Sequence, residues 1–138
     1  MAIRNELTLE ATIGNLTPVL AFIEQQLEKT GCPFKTQMQI AIAAEEIYVN
    51  IARYAYKPGT GEVTVRLEVT DEPAAASLTF IDSGTPFDPL KKTDPDITLS
   101  AEERDIGGLG IYMTKKSMDE VRYEYAGEKN VFTMVKNY

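Results

Sequence analysis

The chain has 138 residues, of which 43% are hydrophobic and 25% are charged, and its net charge is −7. This length and composition are typical of one globular domain with a buried core. The acidic charge argues against nonspecific nucleic-acid binding, and the absence of histidine excludes a histidine–metal site, a Ser-His-Asp triad and a phosphorylatable histidine. No apolar run reaches the length of a membrane span and no signal-like segment opens the chain, so we expect a cytoplasmic protein. The single cysteine, Cys32, cannot form an internal disulfide.

The first part of the chain predicts a strand followed by two helices. Residues 2–13 alternate between apolar and polar side chains, as a half-buried strand requires. Asn15, or Thr17 followed by proline, marks the start of a helix that ends near Gly31. From about residue 35 to residue 56, apolar residues recur every three or four positions, which predicts a longer helix with one packed face. The residues of that face are Ile40, Ala43, Ile47, Ile51 and Tyr54.

The middle of the chain predicts a hairpin and then a long loop. Residues 63–70 alternate strictly between apolar and polar side chains, which indicates a strand with one buried and one wet face. A turn follows, and residues 76–81 return as a second strand. Residues 82–106 contain Pro86, Pro89 and several charged residues, which favours a loop. A loop of this length in a compact domain is usually functional or mobile.

The last part predicts a short helix ending near Met118 and two strands, at 121–125 and 131–135, joined by a turn at 127–130. The order of elements predicts an α+β fold, a two-layer α/β sandwich with helices on one face of a mostly antiparallel mixed sheet. Neither an internal repeat nor a linker divides the sequence, so we expect a single domain over residues 1–138.

Two polar residues on the long helix are the first candidate site. Glu46 and Asn50 are four positions apart, which places them on one helix face about one turn apart. The amide oxygen of Asn50 suits Mg²⁺, Glu46 can act as a general base, and Arg53 can reach a phosphate. A solvated polar edge of an amphipathic helix would have the same pattern.

The second candidate site follows a predicted strand. The carboxylate of Asp82 can accept a hydrogen bond from the exocyclic amine of adenine, and Gly84 would let the backbone approach the base. Pro86 completes this motif. An ordinary Asp-Gly turn is the alternative interpretation.

The third candidate site is a glycine-rich loop that opens into a helix. Gly107, Gly108 and Gly110 allow backbone N–H groups to approach a ligand, and a helix start points its unpaired N–H groups outward. Together they favour phosphate binding, although a tight turn without a ligand fits the same sequence. Arg104, just before the loop, can bind the terminal phosphate or a partner, or lie in solvent.

Taken in order, these three motifs resemble the Asn box and the two glycine boxes of the GHKL ATPase superfamily, which includes gyrase, MutL and histidine kinases. The resemblance covers roughly residues 8–136. Within the superfamily, segments 46–56 and 117–121 are similar to the anti-sigma-factor serine kinases of the RsbW type. The three motifs are Glu46-x-x-x-Asn50, Asp82-x-Gly84-x-Pro86 and Gly107-Gly-Leu-Gly110.

The resemblance implies the Bergerat ATP-binding fold, with ATP and Mg²⁺ as cofactors. Asn50 would coordinate Mg²⁺, Glu46 would accept the proton of a protein serine, and Asp82 would hold the adenine amine. Residues 87–106 would form a lid over ATP. The remaining implied nucleotide contacts are Arg53, Gly84, Pro86, Arg104, Gly107, Gly108, Leu109, Gly110 and Ile111.

The implied function is a serine/threonine protein kinase that acts as an anti-sigma factor. Its substrate would be a serine of an anti-sigma-factor antagonist of the STAS type, and it would also bind a sigma factor, as a homodimer, without contacting nucleic acid or a membrane. A second hypothesis is an ATP-sensing regulator that binds a protein partner without kinase activity. A third is the detached catalytic domain of a histidine kinase, which would need a partner to supply the phosphoacceptor histidine.

Two positions depart from the family pattern. The superfamily often has a Gly-Thr pair near the adenine where this chain reads Gly127-Glu-Lys-Asn-Val-Phe-Thr133, so Thr133 is the candidate substitute. Many relatives have a histidine soon after the Asn of the first box, where this chain has Tyr54.

Overall fold

A computed structural model describes residues 2–91 and 108–138. In this part of the chain the α-helices are α1 (Leu16–Lys29), α2 (Phe34–Tyr54) and α3 (Gly108–Ser117). The strands are β1 (Ala2–Glu10), β2 (Glu62–Asp71), β3 (Ala74–Asp82), β4 (Glu120–Ala126) and β5 (Lys129–Asn137). Short 3₁₀ turns at Ile13–Asn15 and Pro89–Lys91 complete the described elements. The predicted order of elements is confirmed, with boundaries that differ by a few residues.

The strands form one sheet in the order β1-β2-β3-β5-β4. Each pairing between the described strands is antiparallel, so this sheet is antiparallel throughout rather than mixed. In the centre of the sheet, β3 pairs with β5 in a register that sets Asp82 opposite Asn130. The two-layer α+β architecture is confirmed.

The hydrophobic core lies between one face of the sheet and the helices. Alternate residues of β2, from Val63 to Val69, are buried because their side chains all point to the helical face. The predicted packed face of α2 is confirmed at Ile40, Ala43 and Ile47. It is wrong at Tyr54, which is 59% exposed because it lies at the last residue of the helix, beyond the sheet core.

Local chain signals explain where α1 and β5 begin and end. Gly31 adopts φ +75°, and the N–H groups of Gly31 and Cys32 bond back to Glu28 and Leu27, which closes α1 with a Schellman motif. The β4–β5 connection has only two central residues, Gly127 and Glu128, both with positive φ, as a type I′ hairpin turn requires. The strand β5 therefore begins earlier than the sequence predicts, and it includes Asn130.

None of the helices in the described residues combines the length and the apolar character needed to cross a membrane.

Candidate nucleotide-binding site

A cavity of about 190 Å³ opens between the C-terminal half of α2 and the ends of β3 and β5. Asn50 and Asp82, predicted from separate motifs, both line it. Most of the other lining groups are apolar or aromatic, as expected for a slot that accepts a flat ring. These residues include Ile47, Ile51, Tyr54, Ala55, Pro86, Phe87 and Phe132.

Asp82 lines this cavity, and one of its carboxylate oxygens has no hydrogen-bond partner among the described residues. It is the last residue of β3 and is 5% exposed. Its Oδ1 atom accepts hydrogen bonds from the Gly84 N–H, at 2.9 Å, and from the Asn130 amide Nδ2, at 3.0 Å. The Oδ2 atom accepts no hydrogen bond from the described residues, so a ligand amine can use it.

Asn130 organises this end of the cavity; the sequence predicts a turn at this position, whereas Asn130 lies in β5. Its amide nitrogen faces Asp82 Oδ1 and the carbonyl oxygens of Gly84, at 3.4 Å, and Thr85, at 3.1 Å. Its Oδ1 atom accepts hydrogen bonds from the Phe87 N–H, at 3.1 Å, and from the hydroxyl of Tyr123. Asn130 thus joins β5 to the loop after β3, although these segments lie far apart in the sequence.

Glu46 and Asn50 form the α2 side of the candidate site, where Asn50 lines the cavity and Glu46 contacts Asn50. Both are half-buried on α2, and the Asn50 amide Nδ2 lies 3.4 Å from Glu46 Oε1. The amide group thus faces the carboxylate with its nitrogen, and Asn50 Oδ1 accepts no hydrogen bond within the described residues. This oxygen is available to a cation.

Helix α3 meets α2 at Glu46. A Cβ atom built on Gly110 would lie 2.0 Å from the Cδ atom of Glu46 and 2.2 and 2.3 Å from its two carboxylate oxygens. Only glycine therefore allows the start of α3 to contact this carboxylate in its present position. The contact places the candidate base beside the helix start that is predicted to bind phosphate.

The loop after β3 is also fixed to the end of α2. A Cβ atom on Gly84 would lie 2.3 Å from the backbone oxygen of Ala55, and the adjacent Thr85 N–H donates to that oxygen at 2.8 Å. The Tyr56 hydroxyl accepts a hydrogen bond from the Ser83 N–H, at 2.7 Å, and donates to the Glu62 carbonyl. Burial raises the pKa of Tyr56, and the nearby Asp82 carboxylate raises it further, so the hydroxyl stays a donor at neutral pH.

Comparison with protein-family models gives a match to the histidine kinase-like ATPase domain over residues 9–136. The chain belongs to the histidine kinase-like ATPase family. The match covers nearly the whole chain and includes each of the three motifs. The resemblance to GHKL ATPases is thereby confirmed.

Relatives in this family include named kinases. The chain is 22% identical to the serine/threonine-protein kinase BtrW of Bordetella bronchiseptica, over 95% of this chain and 92% of that protein. It is 32% identical to the serine-protein kinase RsbW of Bacillus licheniformis, over 70% of this chain and 62% of that protein. A crystal structure of the RsbU and RsbW domains of a Mycobacterium tuberculosis protein superposes with a TM-score of 0.69 at 18% identity, covering 97% of this chain and 32% of that one. This last similarity shows the fold.

Several predicted nucleotide contacts of this ATPase-family chain are not brought to the cavity. Arg53 is exposed on the last turn of α2 and does not line the cavity. Thr133 lies on the opposite face of the sheet, where its hydroxyl pairs with that of Thr79 at 3.2 Å. The side chain of Ile111 packs in the core, at 6% exposure.

The glycine box itself is partly described. Gly108 and Leu109 begin α3, next to Gly110. The predictions for Arg104 and Gly107, and for most of the lid at 87–106, fall outside the described residues. Of the predicted lid, the short Pro89–Lys91 turn and the cavity-lining Phe87 are described.

The residues of the cavity fit ATP and Mg²⁺. The free oxygen of Asp82 suits an amine, and the apolar lining suits a purine ring. Asn50 offers one oxygen, and among residues 2–91 and 108–138 no cluster of three acidic, cysteine or histidine side chains forms a metal cage. Mg²⁺ typically has few protein ligands and keeps waters and substrate phosphates, so a single amide oxygen is consistent with it.

Proposed function

We propose that the protein is an ATP-dependent serine/threonine protein kinase that acts as an anti-sigma factor. Its substrate would be a serine of a STAS-type anti-sigma-factor antagonist, and the same protein would bind a sigma factor. The observation that carries the proposal is the position of Glu46. This carboxylate lies one turn from Asn50, which lines the cavity, and against Gly110 at the start of α3.

The base of the nucleotide would occupy the end of the cavity near Asp82. The free Oδ2 of Asp82 accepts a hydrogen bond from the adenine amine, and Pro86, Phe87 and Phe132 provide apolar contacts to the ring. The triphosphate would then extend towards Asn50 and the N-terminus of α3, where unpaired N–H groups favour anions.

At the other end, Glu46 would act on the protein substrate. Asn50 would hold Mg²⁺, which supplies charge neutralisation to the phosphates. The serine oxygen forms a bond to the γ-phosphorus, the bond to the bridging oxygen of ADP breaks, and the serine proton passes to the Glu46 carboxylate. Because phosphoryl transfer depends mainly on positioning and charge neutralisation, these few side chains can suffice.

The names of the relatives support this proposal. BtrW and RsbW are named serine or serine/threonine kinases, and the BtrW match covers both chains almost completely. By the same resemblance we propose a cytoplasmic location and a homodimer. Analytical ultracentrifugation of the purified protein would test the dimer.

The test is a phosphorylation assay with ATP, Mg²⁺ and a purified STAS-type antagonist. We expect phosphoserine on the antagonist, a fall of the transfer rate to a small residual value in Glu46→Ala, and unchanged ATP binding by that variant. Glu45→Ala is the matched control, since Glu45 is the adjacent, exposed glutamate and the charge change is identical. If Glu46→Ala transfers phosphate at the wild-type rate, Glu46 is not the base.

Two further measurements test the kinase activity and the base-binding site. ATP-dependent capture of the antagonist without phosphoserine would favour the binding regulator over the kinase. Titration of Mg-ATP against wild type and Asp82→Asn tests the base site, because the amide would present an N–H group where the carboxylate accepts. We expect ATP affinity to fall at least tenfold, and equal affinity would remove Asp82 from the site.

A further inference from the structure

Tyr123 lines the cavity from β4, and neither the motifs nor the family resemblance pointed to it. On the helical face of the β4–β5 hairpin it pairs with Phe132, which makes Asn130 its diagonal neighbour. Its hydroxyl donates to Asn130 Oδ1. Tyr123 therefore contacts the residue that contacts Asp82.

We propose that Tyr123 is a positioning residue that sets the base selectivity of the cavity through Asn130. The proposal rests on the proposed ATP-dependent function. It concerns how the cavity distinguishes a base with an exocyclic amine from one with a carbonyl at the same place.

The hydroxyl is one of the groups that hold the Asn130 amide in its orientation. With the oxygen of Asn130 directed at two donors, the Tyr123 O–H and the Phe87 N–H, its nitrogen faces only acceptors. A half-turn of the amide would set oxygen against the Asp82 carboxylate and the Thr85 carbonyl, would set its N–H against the Phe87 N–H, and would require the Tyr123 hydroxyl to turn from donor to acceptor. Asn130 is 6% exposed, so water cannot freely replace these partners.

The orientation of Asn130 determines what Asp82 offers to a ligand. The Asn130 N–H and the Gly84 N–H both bond to Oδ1, which leaves Oδ2 as an acceptor and provides no donor at that point. An adenine amine donates to such an oxygen, whereas the carbonyl oxygen of guanine would be repelled by it. Without the Tyr123 hydroxyl, Asn130 Oδ1 keeps only the Phe87 N–H among its described donors, so the amide is held less firmly against Asp82 and the discrimination weakens.

Tyr123 remains a hydrogen-bond donor across the physiological pH range. Burial raises the pKa of its hydroxyl, and the carboxylates of Asp88 and Asp82 raise it further. The hydrogen bond from Tyr123 to Asn130 should therefore not change across this pH range.

The test compares ATP and GTP binding to the full chain in Tyr123→Phe, by isothermal titration with Mg²⁺ present. Loss of one hydrogen bond should lower ATP affinity about three- to tenfold, with GTP affinity unchanged or raised, so that the ATP:GTP ratio falls. Tyr125→Phe is the matched control, because Tyr125 lies two residues further on the same strand face and its hydroxyl does not bond to Asn130. That variant should keep the wild-type ratio.

The possible outcomes separate this inference from the proposed function. If wild type prefers ATP and Tyr123→Phe keeps the wild-type ratio, the inference is overturned and the ATP site stands. An equal fall in ATP and GTP affinity with a lowered melting temperature would also overturn it, since Tyr123 would then be only structural. If wild type binds neither nucleotide, the proposed function fails together with the inference.

Discussion

In the Gly110→Ala variant, the added methyl group would overlap the carboxylate of Glu46. The ideal Cβ position lies 2.0 Å from Cδ and 2.2 and 2.3 Å from the two oxygens, whereas non-bonded carbon contacts are about 3.5 Å or longer. The carboxylate must therefore move by about 1.5 Å. Because it is the end of a flexible side chain, Glu46 can rotate away without any change in the backbone.

We expect this movement to affect transfer much more than folding. A displacement of about 1 Å at a reacting group can cost about 100-fold in rate, so kcat for phosphoryl transfer should fall by roughly that factor. Alanine is favoured over glycine inside a helix by about 1 kcal/mol, so the melting temperature should not fall. Single-turnover transfer with saturating ATP measures the first effect, and thermal unfolding measures the second.

A double-mutant cycle tests whether Gly110→Ala slows phosphoryl transfer by displacing Glu46. In a Glu46→Ala background the clash is gone, so Gly110→Ala should cause little further loss of the residual transfer rate. An undiminished loss in that background would refute the reasoning, because the methyl group would then act on the nucleotide and not on Glu46. Gly14→Ala serves as the control, since its nearest contact would be at an ordinary 3.9 Å.

The packing and exposure of described residues lead to four further predictions. Gly84→Ala sets a methyl group 2.3 Å from the backbone oxygen of Ala55, which cannot rotate away, so urea unfolding should show a loss of about 1–3 kcal/mol that Gly14→Ala does not. Ile42 is 65% exposed one turn before Glu46, so Ile42→Asp should raise KM for the protein substrate and leave the Kd for ATP unchanged, with Ile42→Val as the control; equal KM values would place the substrate elsewhere. Burial raises the pKa of the Cys32 thiol, so iodoacetamide at pH 8 should alkylate the native protein at least tenfold more slowly than the urea-unfolded protein, and similar rates would show that the thiol is accessible. The raised pKa also makes the free energy of unfolding depend on pH. Because the thiol ionises at lower pH in the unfolded chain than in the folded protein, the free energy of unfolding should fall as pH rises from the unfolded pKa of Cys32 towards its folded pKa.

The sequence was sufficient to predict elements whose burial is periodic. The alternation from Val63 to Val69 and the three- and four-residue spacing on α2 are direct consequences of one buried face, so the strand and the helix were predictable. The relation between Glu46 and Asn50 was predictable for the same reason, since four helical residues make about one turn. The histidine kinase-like fold followed from the order of these elements and the three motifs.

Asn130 and Thr133 show what such local patterns do not determine. Apolar residues occupy both faces of β5, with Val131 and Val135 on one and Phe132 and Met134 on the other, so the sequence alone does not show which face points to the helices. The register with β3, set by contacts between segments about fifty residues apart in the chain, puts Asn130 beside Asp82 and turns Thr133 away. The two-residue turn that begins β5 early rests on positive φ at Glu128, a conformation that glutamate rarely adopts.

Both glycine motifs contact α2 or the residue just after it, so this helix connects the three predicted parts of the site. Gly110 lies against Glu46 near the middle of the helix, and Gly84 lies against Ala55, just past its end. In each case the missing side chain lets a loop or helix start approach α2 more closely than any other residue would permit. The glycines that are predicted to bring the backbone near a nucleotide therefore also hold it to the helix that carries Glu46 and Asn50. A change at either glycine should alter the relative positions of the base-binding and phosphate-binding ends, because α2 is the element that they share.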